Sequence, residues 1–161
     1  MPDATQYCTF RVDTLYLGID VHKVQEVMRR LDTTPVPLAH AAIVGMINLR
    51  GQIVTAIDLR QRIGLAPRPV DQEPMNVVMR TDDGAVSLIV DEIGDVIAVA
   101  EDLFERIPDT LQGPIRDLVR GVYKLDGQLL LILDSAKAAL SDAPSAVPAE
   151  SLSHYVPGTN R

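Results

Sequence analysis

The amino-acid sequence predicts an all-β protein made of two small barrels, and three observations support this prediction. Residues 45–58 (GMINLRGQIVTAID) recur without a gap as residues 121–134 (GVYKLDGQLLLILD), which indicates an internal repeat. Short runs of β-branched and aliphatic residues alternate with turn-forming residues in both halves. The chain has no Trp and only 4% aromatic residues, so its core must consist mainly of Val, Ile and Leu, which favours strands.

The repeat extends upstream and divides the chain into two lobes. Residues 21–27 (VHKVQEV) are echoed by residues 90–96 (VDEIGDV), so both halves have the same order of parts. We therefore predict a first lobe at about residues 7–66 and a second lobe at about residues 75–140. The linker between them, at about residues 66–74, contains three prolines.

The two lobes are expected to form a single domain. A lobe of about 65 residues would be marginally stable alone, so residues 1–140 are expected to share one hydrophobic core. Residues 141–161 are rich in Ala, Ser and Pro, and we predict that they form a flexible C-terminal tail.

The first lobe begins with a predicted strand pair at residues 7–12 and 15–20, joined by Asp13-Thr14. Residues 21–30 place apolar side chains at helical spacing, which fits either one helical turn or an irregular strand. Residues 32–38 are predicted to be extended, because each of their prolines lacks a backbone donor and biases the preceding residue toward β geometry.

The rest of the first lobe is predicted to contain a hairpin between two short helices. Residues 38–44 are predicted to form the first helix, and the hairpin turns at Arg50-Gly51. Asp58 is expected to cap the second helix, at residues 59–63, and Gly64 to end it.

The second lobe is predicted to repeat this layout with strands at residues 76–80, 85–90 and 96–99. Asp126-Gly127 predicts a second hairpin, because this pair accepts the positive φ angles of a type I′ turn. The short helices are expected at residues 101–107, at residues 115–120 and, capped by Asp134 or Ser135, at residues 136–140.

Composition restricts the class of protein. The net charge of −7 argues against a general nucleic-acid binder, because affinity for phosphate backbones comes mainly from Lys and Arg. Residues 1–70 hold 8 Lys+Arg and 6 Asp+Glu, whereas residues 71–161 hold 7 and 16. This asymmetry fits either different partners for the two lobes or variation of a solvated surface.

Targeting signals are not evident in the sequence. The single Cys8 allows no internal disulfide, and the N-terminus has neither a basic start nor an apolar run. Residues 129–133 are continuously apolar but far shorter than the roughly 20 residues that span a bilayer. We expect a soluble cytoplasmic protein without direct membrane insertion.

The sequence predicts no catalytic residue, cofactor site or metal site. His22, His40 and His154 do not have metal-ligand spacing, and phosphate-binding and nucleophile-elbow motifs are missing. Asp58 and Asp134 fit an acid-base pair, but each follows a predicted strand and precedes a predicted helix, so N-capping explains them better.

Arg50 is the leading candidate for function because it differs between the repeats. Asp126 occupies the corresponding turn position and tolerates left-handed geometry, for which arginine has no special aptitude. If both hairpins share one geometry, Arg50 is a poor turn residue retained for its guanidinium group. The alternative is a different turn type in which Arg50 is merely solvated, and the spacing does not separate the two interpretations.

A second candidate is an apolar stripe that includes Val24 and Val27. The equivalent residues in the other repeat, Ile93 and Val96, are also apolar. Such a stripe is usually part of a core. The alternative interpretation is that the two stripes form the sides of a groove between the lobes that accepts a partner's helix.

The chain resembles the CheW family of chemotaxis coupling proteins. The resemblance rests first on residues 45–51 (GMINLRG) with 58–60 (DLR), and it continues through residues 24–27 (VQEV), 34–37 (TPVP) and 90–91 (VD). Supporting matches occur at Gly18-Ile19-Asp20, Asp95-Val96, Gly121 and Leu133-Asp134. The resemblance covers about residues 7–140.

This resemblance implies two five-stranded SH3-like barrels packed around a shared hydrophobic core, with a few short helices. It also implies a non-enzymatic adaptor, recruited to receptor arrays at the inner face of the membrane. Such an adaptor joins chemoreceptor cytoplasmic tips to the regulatory domain of the histidine kinase CheA. The receptor tip is expected in the groove between the barrels, and no individual kinase contact is assigned. The residues implied in receptor coupling are Val24, Glu26, Val27, Gly45, Arg50, Gly51, Ile93 and Val96.

Two other functions fit the residues. A CheW-like adaptor could serve a different kinase circuit, such as surface motility or development, and the sequence does not separate the circuits. A small-ligand carrier or enzyme on two barrels would instead require a deep pocket with convergent polar groups, lined by His22, His40 or Cys8.

Overall fold

The fold is described by a computed structural model for residues 3–29, 31–37 and 40–139, so the predicted tail at 141–161 lies outside the described residues. The strands are β1 (Ala4–Val12), β2 (Leu15–Asp20), β3 (Val24–Arg29), β4 (Ile43–Leu49), β5 (Gln52–Asp58), β6 (Met75–Thr81), β7 (Gly84–Val90), β8 (Glu92–Ala100), β9 (Val119–Leu125) and β10 (Gln128–Leu133). The helices are α1 (Leu59–Arg62), α2 (Pro114–Leu118) and α3 (Ser135–Ala138), with 3-10 turns at Val21–Lys23 and Glu101–Leu103.

The strands form two five-stranded sheets, which confirms the predicted all-β class. The first sheet has the order β8-β1-β2-β10-β9, and the second sheet has the order β3-β6-β7-β5-β4. The central pairs β2 with β10 and β5 with β7 are parallel, and the remaining pairs are antiparallel. Both sheets therefore have the same topology, as the internal repeat predicts.

Each sheet takes its strands from both repeats, so the sheets do not coincide with the predicted lobes at 7–66 and 75–140. The first sheet combines β1 and β2 with β8, β9 and β10, and the second combines β6 and β7 with β3, β4 and β5. The prediction was wrong because identical units can pair with their own strands or exchange them without changing the local pattern.

The short connection after β7 explains why exchange is required. Asp91 alone separates β7 from β8, so the flanking Cα atoms are at most about 7 Å apart. To remain in the same sheet, β8 would have to reach the far edge of β6, two strand spacings or about 10 Å away. The chain instead continues directly into the other sheet.

Each sheet is closed at one point by the segment that follows its outer strand. Thr34, after β3, exchanges two backbone hydrogen bonds of 2.8 Å with Met46 on β4. Glu105, after β8, exchanges two of 2.9 Å with Val122 on β9. This closure is consistent with the predicted barrels.

Gly45 and Gly121 permit the two closures because a side chain would strike the closing segment. A Cβ at Gly45 would overlap the Thr34 carbonyl oxygen and lie 2.8 Å from the carbonyl carbon. A Cβ at Gly121 would lie 2.7 Å from the Glu105 carbonyl oxygen. The repeated glycine therefore has the same structural role in both copies.

The two sheets pack around one large hydrophobic core. This core includes Phe10 and Leu17 from the first sheet, Ile57 and Leu88 from the second sheet, and Leu118 from α2, all fully buried. Each sheet also encloses a smaller cluster of its own. The shared core predicted for the two lobes is thus present between the two sheets.

Local structure differs from the sequence predictions at a few places. The helix expected at 38–44 is wrong for its described part, because His40 accepts a backbone hydrogen bond of 2.9 Å from Ile43 in a turn and β4 starts there. Residues Val21–Lys23 form a 3-10 turn before β3, so both readings of that stretch were partly correct. The side chain of Asp134, rather than Ser135, caps α3.

Candidate protein-interaction site

The hairpin between β4 and β5 holds Arg50 in a left-handed conformation. Its two loop residues, Arg50 and Gly51, have φ angles of 51° and 85°, as in a type I′ turn. The side-chain oxygen Oδ1 of Asn48 accepts a hydrogen bond of 2.9 Å from the Gly51 amide. For a residue with a side chain, the left-handed conformation costs roughly 1–2 kcal/mol.

The hairpin between β9 and β10 has a different geometry, so the expected type I′ turn at Asp126-Gly127 is wrong. Gly127 has a φ of 77°, but Asp126 is not among the described non-glycine residues with positive φ. The premise that both hairpins share one geometry therefore fails. Arg50 occupies the more demanding turn of the two.

Arg50 forms an ion pair across the second sheet. Its Nη2 donates to Oε2 of Glu26 on β3, and Nε2 of Gln25 donates to Oε1 of Gln52 at 3.4 Å. Because β3 and β4 are the outer strands of this sheet and Arg50 directly follows β4, the Arg50–Glu26 pair joins the two edges of the sheet, and the Gln25–Gln52 contact joins β3 to the start of β5. The Arg50 side chain is 66% exposed and that of Glu26 is 23% exposed, so the pair lies at the surface.

Replacing Arg50 by glycine is expected to stabilise the fold slightly, although it removes the ion pair. Glycine avoids a left-handed cost of about 1–2 kcal/mol, whereas an exposed ion pair contributes about 0–1 kcal/mol. Urea denaturation of Arg50→Gly should therefore show a free energy of unfolding higher by up to about 1 kcal/mol.

The matched control is Asp126→Gly in the other hairpin. Because Asp126 needs no left-handed conformation, glycine there should be neutral or destabilising by up to about 1 kcal/mol. A loss of stability in Arg50→Gly would contradict the prediction and would mean that the contact with Glu26 outweighs the backbone cost.

The structure places the apolar candidates in two settings. Val24 and Ile93 are partly buried and pack against the shared core. Val27 on β3 is 39% exposed, and Val96 on β8 is 52% exposed. On β3, Val24 thus holds the strand to the core and Val27 leaves an apolar side chain at the surface. On β8, Ile93 and Val96 have the same two roles. A groove between these strands remains a prediction.

A buried ion network, which the sequence reasoning did not identify, lies where the chain crosses between the sheets. Arg60 Nη2 donates to Asp91 Oδ2 at 2.6 Å, and Arg68 Nε donates to Asp91 Oδ1 at 2.7 Å. The backbone amide of Asp13, in the turn between β1 and β2, donates to Asp91 Oδ2 at 2.6 Å. The network therefore ties the turn of the first sheet to α1 and to the linker after it.

All three charged side chains of the network are removed from water. The Arg60 and Arg68 side chains are each 9% exposed, and that of Asp91 is 4% exposed. Burial alone would raise the pKa of Asp91, but hydrogen bonds from Arg60, the Asp13 amide and Arg68 outweigh it and lower the pKa to about 2. Asp91 is therefore ionised throughout the neutral range.

The comparison of the repeats contained a signal for this network. The 76-residue offset of the repeat places Ala136 at the position of Arg60, and the upstream match of residues 21–27 to residues 90–96 places His22 at the position of Asp91. Each of these two charged residues therefore occurs in only one copy of the repeat, as Arg50 does. Their sequence separation gave no indication that they meet.

The described cavities do not fit the small-ligand alternative. Cavities of about 470, 420 and 240 Å³ are present, and His22, His40 and Cys8 line none of these three. Burial, with a smaller effect from Asp20, raises the pKa of the Cys8 thiol, which disfavours the nucleophilic thiolate. Within the described residues, no group of three or more His, Cys, Asp or Glu could hold a metal ion. Nor is any helix of the described part long and apolar enough to span a membrane.

Comparison with known families assigns the chain. The family model described as "CheW-like domain" matches residues 6–142, a range that contains strands β2 to β10 and all of β1 except Ala4 and Thr5. The chain belongs to the CheW-like family. The resemblance seen in the sequence motifs is thereby confirmed.

Individual relatives agree with this assignment. The CheW-like chain is 34% identical over 141 residues to the chemotaxis protein CheW of Bacillus subtilis (strain 168), covering 86% of this chain and 90% of the relative. It is 30% identical over 131 residues to that of Thermotoga maritima, covering 80% and 83%. The crystal structure of the scaffolding protein TtCheW from Thermoanaerobacter tengcongensis superposes with a TM-score of 0.74 at 28% identity, covering 83% of this chain and 90% of that one.

Proposed function

We propose that this CheW-like chain is a chemotaxis adaptor that couples the cytoplasmic tips of chemoreceptors to the regulatory domain of the histidine kinase CheA. The observation that carries the proposal is the match of the family model to residues 6–142. Relatives named chemotaxis protein CheW and a solved relative named a scaffolding protein support an adaptor role. The adaptor is cytoplasmic, joins receptor arrays at the inner face of the membrane, and acts by protein binding without catalysis.

Coupling by binding alone sets a thermodynamic requirement. A receptor changes kinase activity through an adaptor only if the complex has different affinities in the kinase-on and kinase-off states. The adaptor must therefore pass on a change in the position of its receptor-binding strand. Tethering the two proteins is not enough. A stiff connection between the receptor-binding strand and the rest of the sheet serves this purpose.

The Arg50–Glu26 pair supplies such a connection on β3. Glu26 lies beside Val27, whose exposed side chain offers an apolar contact to a receptor helix. The ion pair fixes β3 against the turn of the β4–β5 hairpin, and Gly51 completes that turn. Val96 offers the equivalent apolar contact on β8. We therefore assign Arg50 to positioning the receptor-binding strand.

Charge exchange tests this assignment. Arg50→Glu and Glu26→Arg should each weaken receptor-tip binding by about 10-fold, because each places like charges in contact. The double variant should restore binding to within about 2-fold of the unchanged chain, because the pair is re-formed with opposite polarity. Binding is measured by titrating a labelled receptor-tip fragment. A double variant as weak as the singles would mean that Arg50 contacts the receptor directly.

The adaptor function itself is tested by co-retention. The full chain is immobilised and incubated with the kinase regulatory domain and a receptor-tip fragment from the same genome. Retention of both fragments is expected, and retention of neither would refute the proposal. Retention of fragments from a motility or development circuit alone would assign the adaptor to that circuit instead.

A further inference from the structure

A cavity of about 420 Å³ on the first-sheet side of the molecule is lined by three arginines. Arg106 follows the residue that closes the first sheet, Arg116 lies on α2, and Arg120 lies on β9. Ile107 and Asp109 complete the lining. Three guanidinium groups thus face one carboxylate, which gives the lining a formal charge of +2 from these residues.

This positive charge is not neutralised within the described part of the chain. Arg106, Arg116 and Arg120 take part in none of the ion pairs found there. Arg116 donates through Nη1 to the carbonyl oxygens of Pro108 at 2.8 Å and Leu111 at 2.9 Å, which are neutral acceptors. These bonds fix Arg116 and its loop but leave its charge uncompensated.

The surrounding composition makes the cluster unusual. Residues 71–161 hold 7 Lys+Arg against 16 Asp+Glu, yet three of those seven basic residues line this one cavity. Like charges that approach one another oppose folding, so the cluster does not stabilise the isolated chain. An anionic partner would remove that repulsion.

The other copy of the repeat does not contain the cluster. With the 76-residue offset of the repeat extended upstream, Arg116 and Arg120 correspond to His40 and Val44. The equivalent closures at Thr34 and Glu105 place Pro35 at the position of Arg106. All three arginines therefore occur in only one copy of the repeat, so the architecture that the two copies share does not require them.

We infer that this arginine cavity binds an acidic segment of a partner protein. Guanidinium groups match carboxylates in planar, paired geometry, and Ile107 gives the aliphatic part of an acidic side chain an apolar contact. A cavity of about 420 Å³ admits one or two side chains rather than a continuous nucleic-acid backbone. The inference uses the proposed function only in taking the occupant to be a protein.

A titration with a defined acidic peptide tests the site. The full chain, labelled with ¹⁵N, is titrated with hexaglutamate at low ionic strength, and amide shifts are recorded. Saturable shifts are expected around residues 106–120. Raising the salt concentration to about 0.3 M should weaken binding at least 5-fold, because these contacts lie in an open cavity exposed to counter-ions.

Variants at the two exposed arginines identify the site. Arg106→Ala/Arg120→Ala should weaken hexaglutamate binding at least 5-fold, whereas the control Arg29→Ala/Arg80→Ala removes the same charge elsewhere and should change it less than 2-fold. Arg116 is left unchanged because its bonds hold the loop.

Three results would overturn the inference. These are the absence of saturable binding, equal losses in both double variants, and tighter binding of tripolyphosphate than of hexaglutamate through the same arginines. Because hexaglutamate is neither receptor nor kinase, failure here leaves the adaptor proposal standing. Failure of the co-retention experiment would not affect the peptide result.

Discussion

Replacing Asp91 by alanine is expected to lower the free energy of unfolding by about 3–5 kcal/mol. Asp91 accepts hydrogen bonds from Arg60, Arg68 and the Asp13 amide, and its side chain is only 4% exposed. Removing it leaves two buried guanidinium groups without their main counter-ion, and that desolvated charge is the source of the loss. Urea denaturation followed by circular dichroism measures the change.

The matched control is Glu92→Gln at the adjacent, exposed position. This change should alter the free energy of unfolding by no more than about 0.5 kcal/mol. A similar small effect for Asp91→Ala would show that the network contributes little and would contradict the prediction. In the double variant Arg60→Met/Asp91→Leu, part of the stability should return, because an apolar pair leaves less charge buried.

The carboxylate of Asp91 also makes the stability of the fold depend on pH. Its pKa is lowered from 3.8 to about 2 in the folded chain, so its stabilisation is complete above the unfolded pKa and is lost as the pH falls through about 2. The shift corresponds to about 2 kcal/mol. Between pH 5 and pH 2, Asp91→Asn should therefore lose less stability than the unchanged chain. Identical pH profiles would contradict the low pKa of Asp91.

Gly45→Ala is expected to lower the free energy of unfolding by about 2–3 kcal/mol. The added Cβ would overlap the carbonyl oxygen of Thr34, and this atom belongs to the backbone pair that closes the second sheet. The contact cannot be relieved by rotating a side chain, so the closing segment must move. Thermal and urea denaturation measure the loss.

Gly18→Ala is the comparison variant for this prediction. Gly18 is also buried in a sheet, but its Cβ would meet methyl carbons of Leu130 and Ile132 at 3.3 Å, and side chains adjust more easily than backbone. Its cost should stay below about 1 kcal/mol. Equal costs at the two positions would show that the closure at Thr34 has no special steric demand.

The resemblance implied a role for Gly45 in receptor coupling, so any binding loss in Gly45→Ala must be corrected for the unfolded fraction.

Much of the fold could be predicted because its signals are local. The alternating strands, the turn at Arg50-Gly51 and the cap at Asp58 each depend on residues close in sequence. The strand exchange could not be predicted in this way, because two copies of a repeat offer the same pairing surfaces. The exchange follows from the connection between β7 and β8, which is the single residue Asp91. The sequence pattern alone did not mark this residue as the point where the chain crosses between sheets.

The candidate site was predictable in part for the same reason. Arg50 was found by comparing the two copies, but its pairing with Glu26 and its left-handed φ required the structure. The Arg60–Asp91 contact joins residues that belong to different repeats and was therefore hidden from any analysis of a single unit. Differences between the copies marked Arg50, Arg60 and Asp91, but not Glu26, which aligns with the acidic Asp95. The distances between these residues came only from the fold.

The exchange of strands also sets an order in which the protein can assemble on the ribosome. The second sheet comprises β3 to β7, a continuous stretch from Val24 to Val90, and can pair as soon as that stretch has emerged. The N-terminal strands β1 and β2 are made first, but their partners β8, β9 and β10 are made last. Because β1 and β2 pair with each other, we expect them to form an isolated hairpin first. The two outer edges of this hairpin should remain without their partners β8 and β10 until synthesis is nearly complete.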